Sequence, residues 1–187
     1  MEPRILAVDR AFTPDRWVDA KTAMNYLSRG IIRESFGETA LTLRGGTNAK
    51  TGRQSVIELG SVIVVDTKDF LVTDFGHCPL SRELLFRRDR NVCAYCGEVF
   101  KTSELEQEHV VPASQGGPTS WENLVSSCHR DNQRKRNRTP EQAGMPLLYL
   151  PYKPNRFEHL ILENRNVLAD QMEWLRQRLP RHSRLHS

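Results

Sequence analysis

No apolar run in this chain approaches the ~18–20 residues that a membrane-spanning helix requires, so the sequence offers no bilayer segment. The opening Met1-Glu2-Pro3-Arg4 lacks the basic and apolar stretches of a secretory signal, and the expectation is a reducing, cytoplasmic setting. No internal repeat or low-complexity tract is present, which argues against a solenoid or a disordered scaffold. Cysteine is scarce, four in 187 residues. In a reducing compartment a pair at two-residue spacing more often binds metal than forms a disulfide. Charge of one sign is not in large excess: a net +4 with pI ≈ 9.0 permits a polyanionic partner without establishing one. What is present suffices for a core, 38% apolar residues in a length that holds one ordinary domain or two small ones.

Three regions follow from patterning. Residues 1–79 read as strands around one helix: Arg4 to Val8, Ile31-Ile32, Ala40 to Leu43 and Val56 to Val65 are strand-like, and Val18 to Arg29 has helical spacing with Gly30 as its stop. Gly45 to Gly52 reads as a turn-rich loop. Asp9, Asp66, Asp69 and Asp74 are scattered and form no catalytic constellation, consistent with solvated turn carboxylates. Residues 80–146 carry the chemistry. Ser81 can cap a helix running to Arg90, whose basic positions Arg82, Arg87, Arg88 and Arg90 flank Leu84, Leu85 and Phe86. Leu105 to Val111 suits a strand, Thr119 or Ser120 can cap a helix starting at Trp121, and Thr139-Pro140-Glu141 opens another. Residues 147–187 read as a connector and one long amphipathic helix, with Asn155 and Glu158 as its capping pair. Phe157, Leu160, Ile161, Leu168, Met172 and Leu175 share a face, which suits core or a homodimer contact. The basic tail from Arg176 could touch phosphate. The fold class expected is α+β.

The informative stretch runs from Cys93 to Asn137. Cys93-Ala94-Tyr95-Cys96 is a knuckle whose turn presents two thiolates to one tetrahedral ion. Cys128 opens a second half-site, but the position that should complete it holds Asp131. A carboxylate can ligate Zn²⁺, so Asp131 is a candidate; His129 and Cys78 are the other donors. Between the half-sites, Glu108 is a hard oxygen ligand suited to Mg²⁺ or Mn²⁺, and Asn132 can offer an amide oxygen to the same ion. His109 titrates in the range needed to take a proton from water. Asn123 can hold the backbone of the loop that aims His109. Phosphodiester cleavage needs an activated water, a cation for the developing charge and help for the leaving oxygen.

The segment from Phe86-Arg87-Arg88-Asp89 to Met145 resembles the HNH endonucleases of bacterial and phage type. The matching residues are Cys93-x-x-Cys96, Glu108-His109-x-x-Pro112, Gly116-Gly117, Trp121-Glu122-Asn123-Leu124, Cys128, Asn132, Lys135 and Asn137-Arg138-Thr139-Pro140. The resemblance covers about a third of the chain. It implies a ββα-metal core supported by zinc knuckles, with His109 as general base, Glu108 and Asn132 as ligands of the catalytic ion and Asn123 as the orienting residue. The chain departs from the family in placing Glu108 where aspartate is usual, Asn132 where many members have histidine, and Asp131 where the fourth cysteine is usual. Arg130, Arg134, Lys135, Arg136 and Arg138 crowd beside this motif and are expected to hold phosphate. The leading expectation is a metal-dependent DNA endonuclease. Its rivals are a non-catalytic zinc-supported DNA-binding or phage accessory module and an RNA-directed nuclease.

Overall fold

The computed structural model describes residues 4–66, 78–181 and 183–186; Asp69 and Asp74 lie outside them. In chain order the strands are β1 (Ile5–Val8), β2 (Pro14–Val18), β3 (Ile32–Thr47), β4 (Gln54–Val65), β5 (Leu105–His109) and β6 (Leu124–Cys128). The helices are α1 (Ala20–Ser28), α2 (Arg82–Arg88), α3 (His129–Lys135), α4 (Pro140–Ala143), α5 (Arg156–Glu163) and α6 (Ala169–Arg176). The class is α+β. The chain packs as two units, one from the described residues of 1–75 with 163–179, the other from those of 76–162 and 180–187. No helix among the described residues is long and apolar enough to cross a membrane.

The first unit is a four-stranded sheet in the order β2-β1-β4-β3. β1 is flanked on both edges, antiparallel to β2 and parallel to β4, which is why its Ile-Leu-Ala-Val reads as a continuous apolar run and is wholly buried. α1 starts at Asp19, whose carboxylate accepts from Thr22 N at 2.8 Å, and the chain leaves it through Gly30 at φ +65°. Its Ala23 joins the core cluster of Ile5, Ala7, Val18, Leu59, Ile63 and Val65. The expected loop beginning at Gly45 starts later: Gly45, Gly46 and Thr47 continue β3, paired through Thr47↔Gln54, because the strand β4 opposite supplies ladder partners that local turn propensity ignores.

The single long terminal helix is not observed. Asn164 Oδ1 accepts from Asn166 N at 3.2 Å, a local turn that competes with the helical ladder, and the chain restarts as α6 with the Gln171 side chain accepting from Leu168 N at 3.0 Å. The apolar stripe divides with it. Leu160, Ile161 and Leu162 are buried in the second unit, and Leu175 is buried in the first. α6 is tied to its sheet by polar groups: buried Gln171 donates Nε2 to the carbonyls of Arg4 and Ser61, 2.8 Å each, and Asp170 accepts from Ser61 Oγ.

The second unit is a two-stranded antiparallel sheet, β5 with β6, followed by α3, which packs against both strands. The helix expected from Trp121 is instead a turn, Asn123 N to Ser120 O at 3.1 Å, followed by β6. Leu-Val-Ser-Ser-Cys pairs residue for residue with β5, from Leu105↔Cys128 to His109↔Leu124, and all five positions are buried. Ladder pairing and burial on both faces outweigh the capping signal before it. α2, capped by Ser81 Oγ at Leu84 N (3.2 Å), delivers Leu85 and Phe86 to a core with Leu105, Trp121 and Leu124. At its end sit Arg88 and Asp89, both fully buried and bonded to each other.

Candidate metal centre and active site

The two half-sites meet. The Cys93–Cys96 turn follows α2, Cys128 ends β6 and Asp131 stands in the first turn of α3, and one ligand atom from each of the four lies within 4.8 Å of the others. Asp131 Oδ2 accepts from Cys93 Sγ at 3.4 Å and Cys128 Sγ at 3.3 Å. Burial pushes the Cys128 thiol up to about 12 and also raises Cys96. Burial works to raise Asp131 too, but hydrogen bonds from the Cys128, Cys96 and Cys93 thiols outweigh it and hold that carboxyl below its ordinary value. Three sulfurs gathered around one carboxylate form a site that can hold a metal ion, binding of which releases thiol protons. The two other candidate donors are elsewhere. Cys78 Sγ lies 3.3 Å from His159 Nδ1, and His129 Nδ1 lies 2.9 Å from Glu106 Oε1.

Glu108, on β5, faces α3. Its carboxylate takes the Lys135 ammonium at 2.5 Å, and the same Nζ donates to the carbonyl of His109 at 2.8 Å. Burial raises the Glu108 carboxyl above its ordinary value, against the pull of Lys135 and of the nearby His109 ring. His109 ends the strand with Nε2 3.0 Å from Thr119 Oγ1. The loop beyond is fixed by Asn123, which accepts from Val111 N (2.9 Å) and donates to the carbonyls of Val111 (3.0 Å) and Pro118 (2.9 Å). Gly117 is needed for this closure, since a Cβ there would sit 1.8 Å from the Val111 oxygen. Asn123 thus hydrogen-bonds the backbone of the loop that follows His109.

Asn132 brings in a residue that the sequence reading passed over. Its Nδ2 donates to Glu106 Oε2, leaving the amide oxygen as the end free to ligate. Glu106 is held below its ordinary value by the hydrogen bonds from Asn132 and His129. The signal for it was available: Glu106 stands two residues before Glu108, and a period of two puts both carboxylates on the strand face toward α3.

The basic cluster divides. Gln133, Arg134, Arg136, Asn137 and Arg138 line an open depression, and Arg138 also donates to the carbonyls of Lys135 (3.2 Å) and Arg134 (2.6 Å). Arg130 is exposed, 3.4 Å from Asp131. Lys135 departs from the expected phosphate contact: it is fully buried, its charge committed to Glu108, because i→i+3 spacing from Asn132 turns it inward with that residue.

Comparison with known proteins finds partial sequence matches. The chain is 31% identical over 141 residues to the CRISPR-associated endonuclease Cas9 of Corynebacterium diphtheriae, a match covering 70% of this chain and 12% of that protein. It is 37% identical over 65 residues to the CRISPR-associated endonuclease Cas9 of Campylobacter jejuni, covering 32% of this chain and 7% of that protein. The chain thus spans about an eighth or less of the length of these relatives. The crystal structure of the Type II-C Cas9 enzyme from Actinomyces naeslundii aligns at a TM-score of 0.30 and 20% identity, over 56% of this chain and 13% of that one, too low a score to bear on the fold. The family model for HNH endonucleases matches residues 93–148, the segment that contains the thiol cluster, Glu108, His109, Asn123 and Asn132. Residues 93–148 are thus similar to the HNH endonucleases.

Proposed function

We propose that this protein hydrolyses DNA phosphodiester bonds with a divalent metal ion, His109 acting as general base. The observation that supports it is the convergence on the β5–β6–α3 unit. Glu108 and Asn132 project from facing elements, and His109 follows Glu108 on a strand end whose outgoing loop is clamped by Asn123. His109 accepts the proton of the attacking water. Glu108 and the Asn132 amide oxygen would hold Mg²⁺ or Mn²⁺, which when bound would supply positive charge for the scissile phosphate. Glu106 positions Asn132 by accepting its NH₂. Lys135 fixes Glu108 against the backbone of His109. Arg134, Arg136 and Arg138, with Arg130, grip the phosphate backbone without reading bases. In a plasmid-nicking assay we expect cleavage with Mg²⁺ and none with excess EDTA. DNA binding with no metal-stimulated cleavage supports the non-catalytic reading instead.

The Cys93, Cys96, Cys128 and Asp131 set fits zinc. Tetrahedral ligands ~2.0–2.3 Å from an ion stand ~3.3–3.8 Å apart, and the observed sulfur–oxygen separations are 3.3 and 3.4 Å. Its role is structural, joining the knuckle turn to the start of α3 and so placing Asn132 and Lys135. Metal analysis of protein purified without chelator is expected to find one zinc per chain, reduced in Asp131→Ala and retained in Asp131→Cys. Zinc-free, folded wild-type protein overturns this site.

A further inference from the structure

We propose that the outer part of the β3–β4 hairpin is a ribbon that enters the major groove of double-stranded DNA. β1 pairs with β4 only over Val62–Val64, so beyond Gly60 the residues of β4 have β3 as their sole partner among the described residues. From Thr39↔Gly60 to Thr47↔Gln54 the hairpin is a two-stranded ribbon about 25 Å long at ~3.3 Å per residue. Gln54, Ser55, Val56, Ile57 and Glu58 are all exposed. A free ribbon contributes little to its own stability, so its length calls for another use.

Its charge indicates which. Residues 39–60 contain Arg44, Lys50 and Arg53 against a single carboxylate, Glu58, at the end of the ribbon nearer the sheet. In the same unit Arg4, Arg10 and Arg33 each pair with a carboxylate, whereas among the described residues Arg44, Lys50 and Arg53 form no ion pair. The tip is a built turn. Asn48 Oδ1 accepts from Lys50 N (2.9 Å) and Thr51 N (3.0 Å), Asn48 N donates to Arg53 O at 2.9 Å, and Gln54 Nε2 donates to Gly45 O at 3.0 Å. Two cations are thereby held at the tip and a third on the flank. Two strands ~4.8 Å apart fit a major groove ~12 Å wide, and Gly45-Gly46 leaves bare backbone where phosphates pass. The choice of DNA as occupant rests on the nuclease reading; the ribbon geometry and charge do not.

The test measures fluorescence anisotropy of a labelled 24-base-pair duplex with full-length His109→Ala, without Mg²⁺, against the same protein carrying Arg44→Ala, Lys50→Ala and Arg53→Ala. All three sites are exposed, and an unchanged melting temperature verifies the fold. Expected are a Kd weakened at least tenfold and a slope of log K against log salt reduced by about 2–3, ~0.9 per lost phosphate contact. An unchanged Kd and slope overturn the proposal, as does an equal loss of binding to polyglutamate, which marks a general polyanion patch. Ribbon-dependent duplex binding in a wild type that never cleaves leaves the ribbon standing and removes the nuclease reading. Cleavage by a protein whose duplex affinity ignores the triple substitution does the reverse.

Discussion

His109→Ala is expected to lower Mg²⁺-dependent plasmid cleavage by at least ~10²–10⁴-fold, the contribution of a positioned general base. The melting temperature should stay within ~2–3 °C of wild type. The ring is a strand-end group whose hydrogen-bond contact is the Thr119 hydroxyl, and its loss opens no core cavity and strands no buried charge. The backbone carbonyl that Lys135 uses survives the substitution, so Glu108 keeps its partner. Activity and stability therefore separate at this position. Cleavage by His109→Ala at near the wild-type rate would sink the catalytic assignment, and a large fall in melting temperature would recast the residue as structural.

Arg88→Leu should do the opposite, unfolding the second unit by ~3–5 kcal/mol, the cost of leaving a buried charge without its partner. The Arg88 guanidinium is fully buried. It donates to Asp89 Oδ1 (2.8 Å) and Oδ2 (3.2 Å) and to the carbonyls of Trp121 (2.7 Å), Leu124 (2.8 Å) and Tyr152 (2.8 Å). Its plane also lies over the Trp121 and Tyr152 rings. Asp89 passes the tie onward, accepting from Ser126 N at 2.8 Å and Oγ at 2.9 Å, and so anchors β6 to the end of α2. Arg88→Lys should recover little, because one ammonium cannot reach acceptors spread over a planar fork. Thermal unfolding followed by circular dichroism reads the effect, expected as a fall of roughly 6–20 °C at ~2–4 °C per kcal/mol. A fall under ~3 °C would show that the network carries no net stability.

Arg88 also shows where sequence reading stops. On its helix it was one of four basic positions flanking an apolar stripe, and nothing local announces that, besides the adjacent Asp89, its carbonyl partners lie 33, 36 and 64 residues away. Lys135 is a similar case. In the run Arg130 to Arg138 it reads as one more cation for phosphate, yet the strand packed against α3 makes it the buried counter-ion of Glu108. The helix expected from Trp121 failed for a related reason, since the deciding term was the ladder to β5. Asn123 and Asp131, by contrast, were legible: each acts on groups within a short stretch of chain or at a half-site whose spacing is written in the sequence.

The sequence by itself determined the chemical inventory: three thiols and a carboxylate at half-site spacing, a histidine beside a glutamate, and two asparagines at set distances. These are local patterns, and chelating or hydrogen-bonding geometry depends on spacing. Only the tertiary structure decided which cations face water and which are spent as counter-ions. It alone made Glu106 the partner of Asn132, divided the terminal helix in two, and extended β3–β4 past its sheet as an exposed basic ribbon. Burial and charge pairing depend on what the rest of the chain brings to a side chain, and spacing along the sequence does not record that.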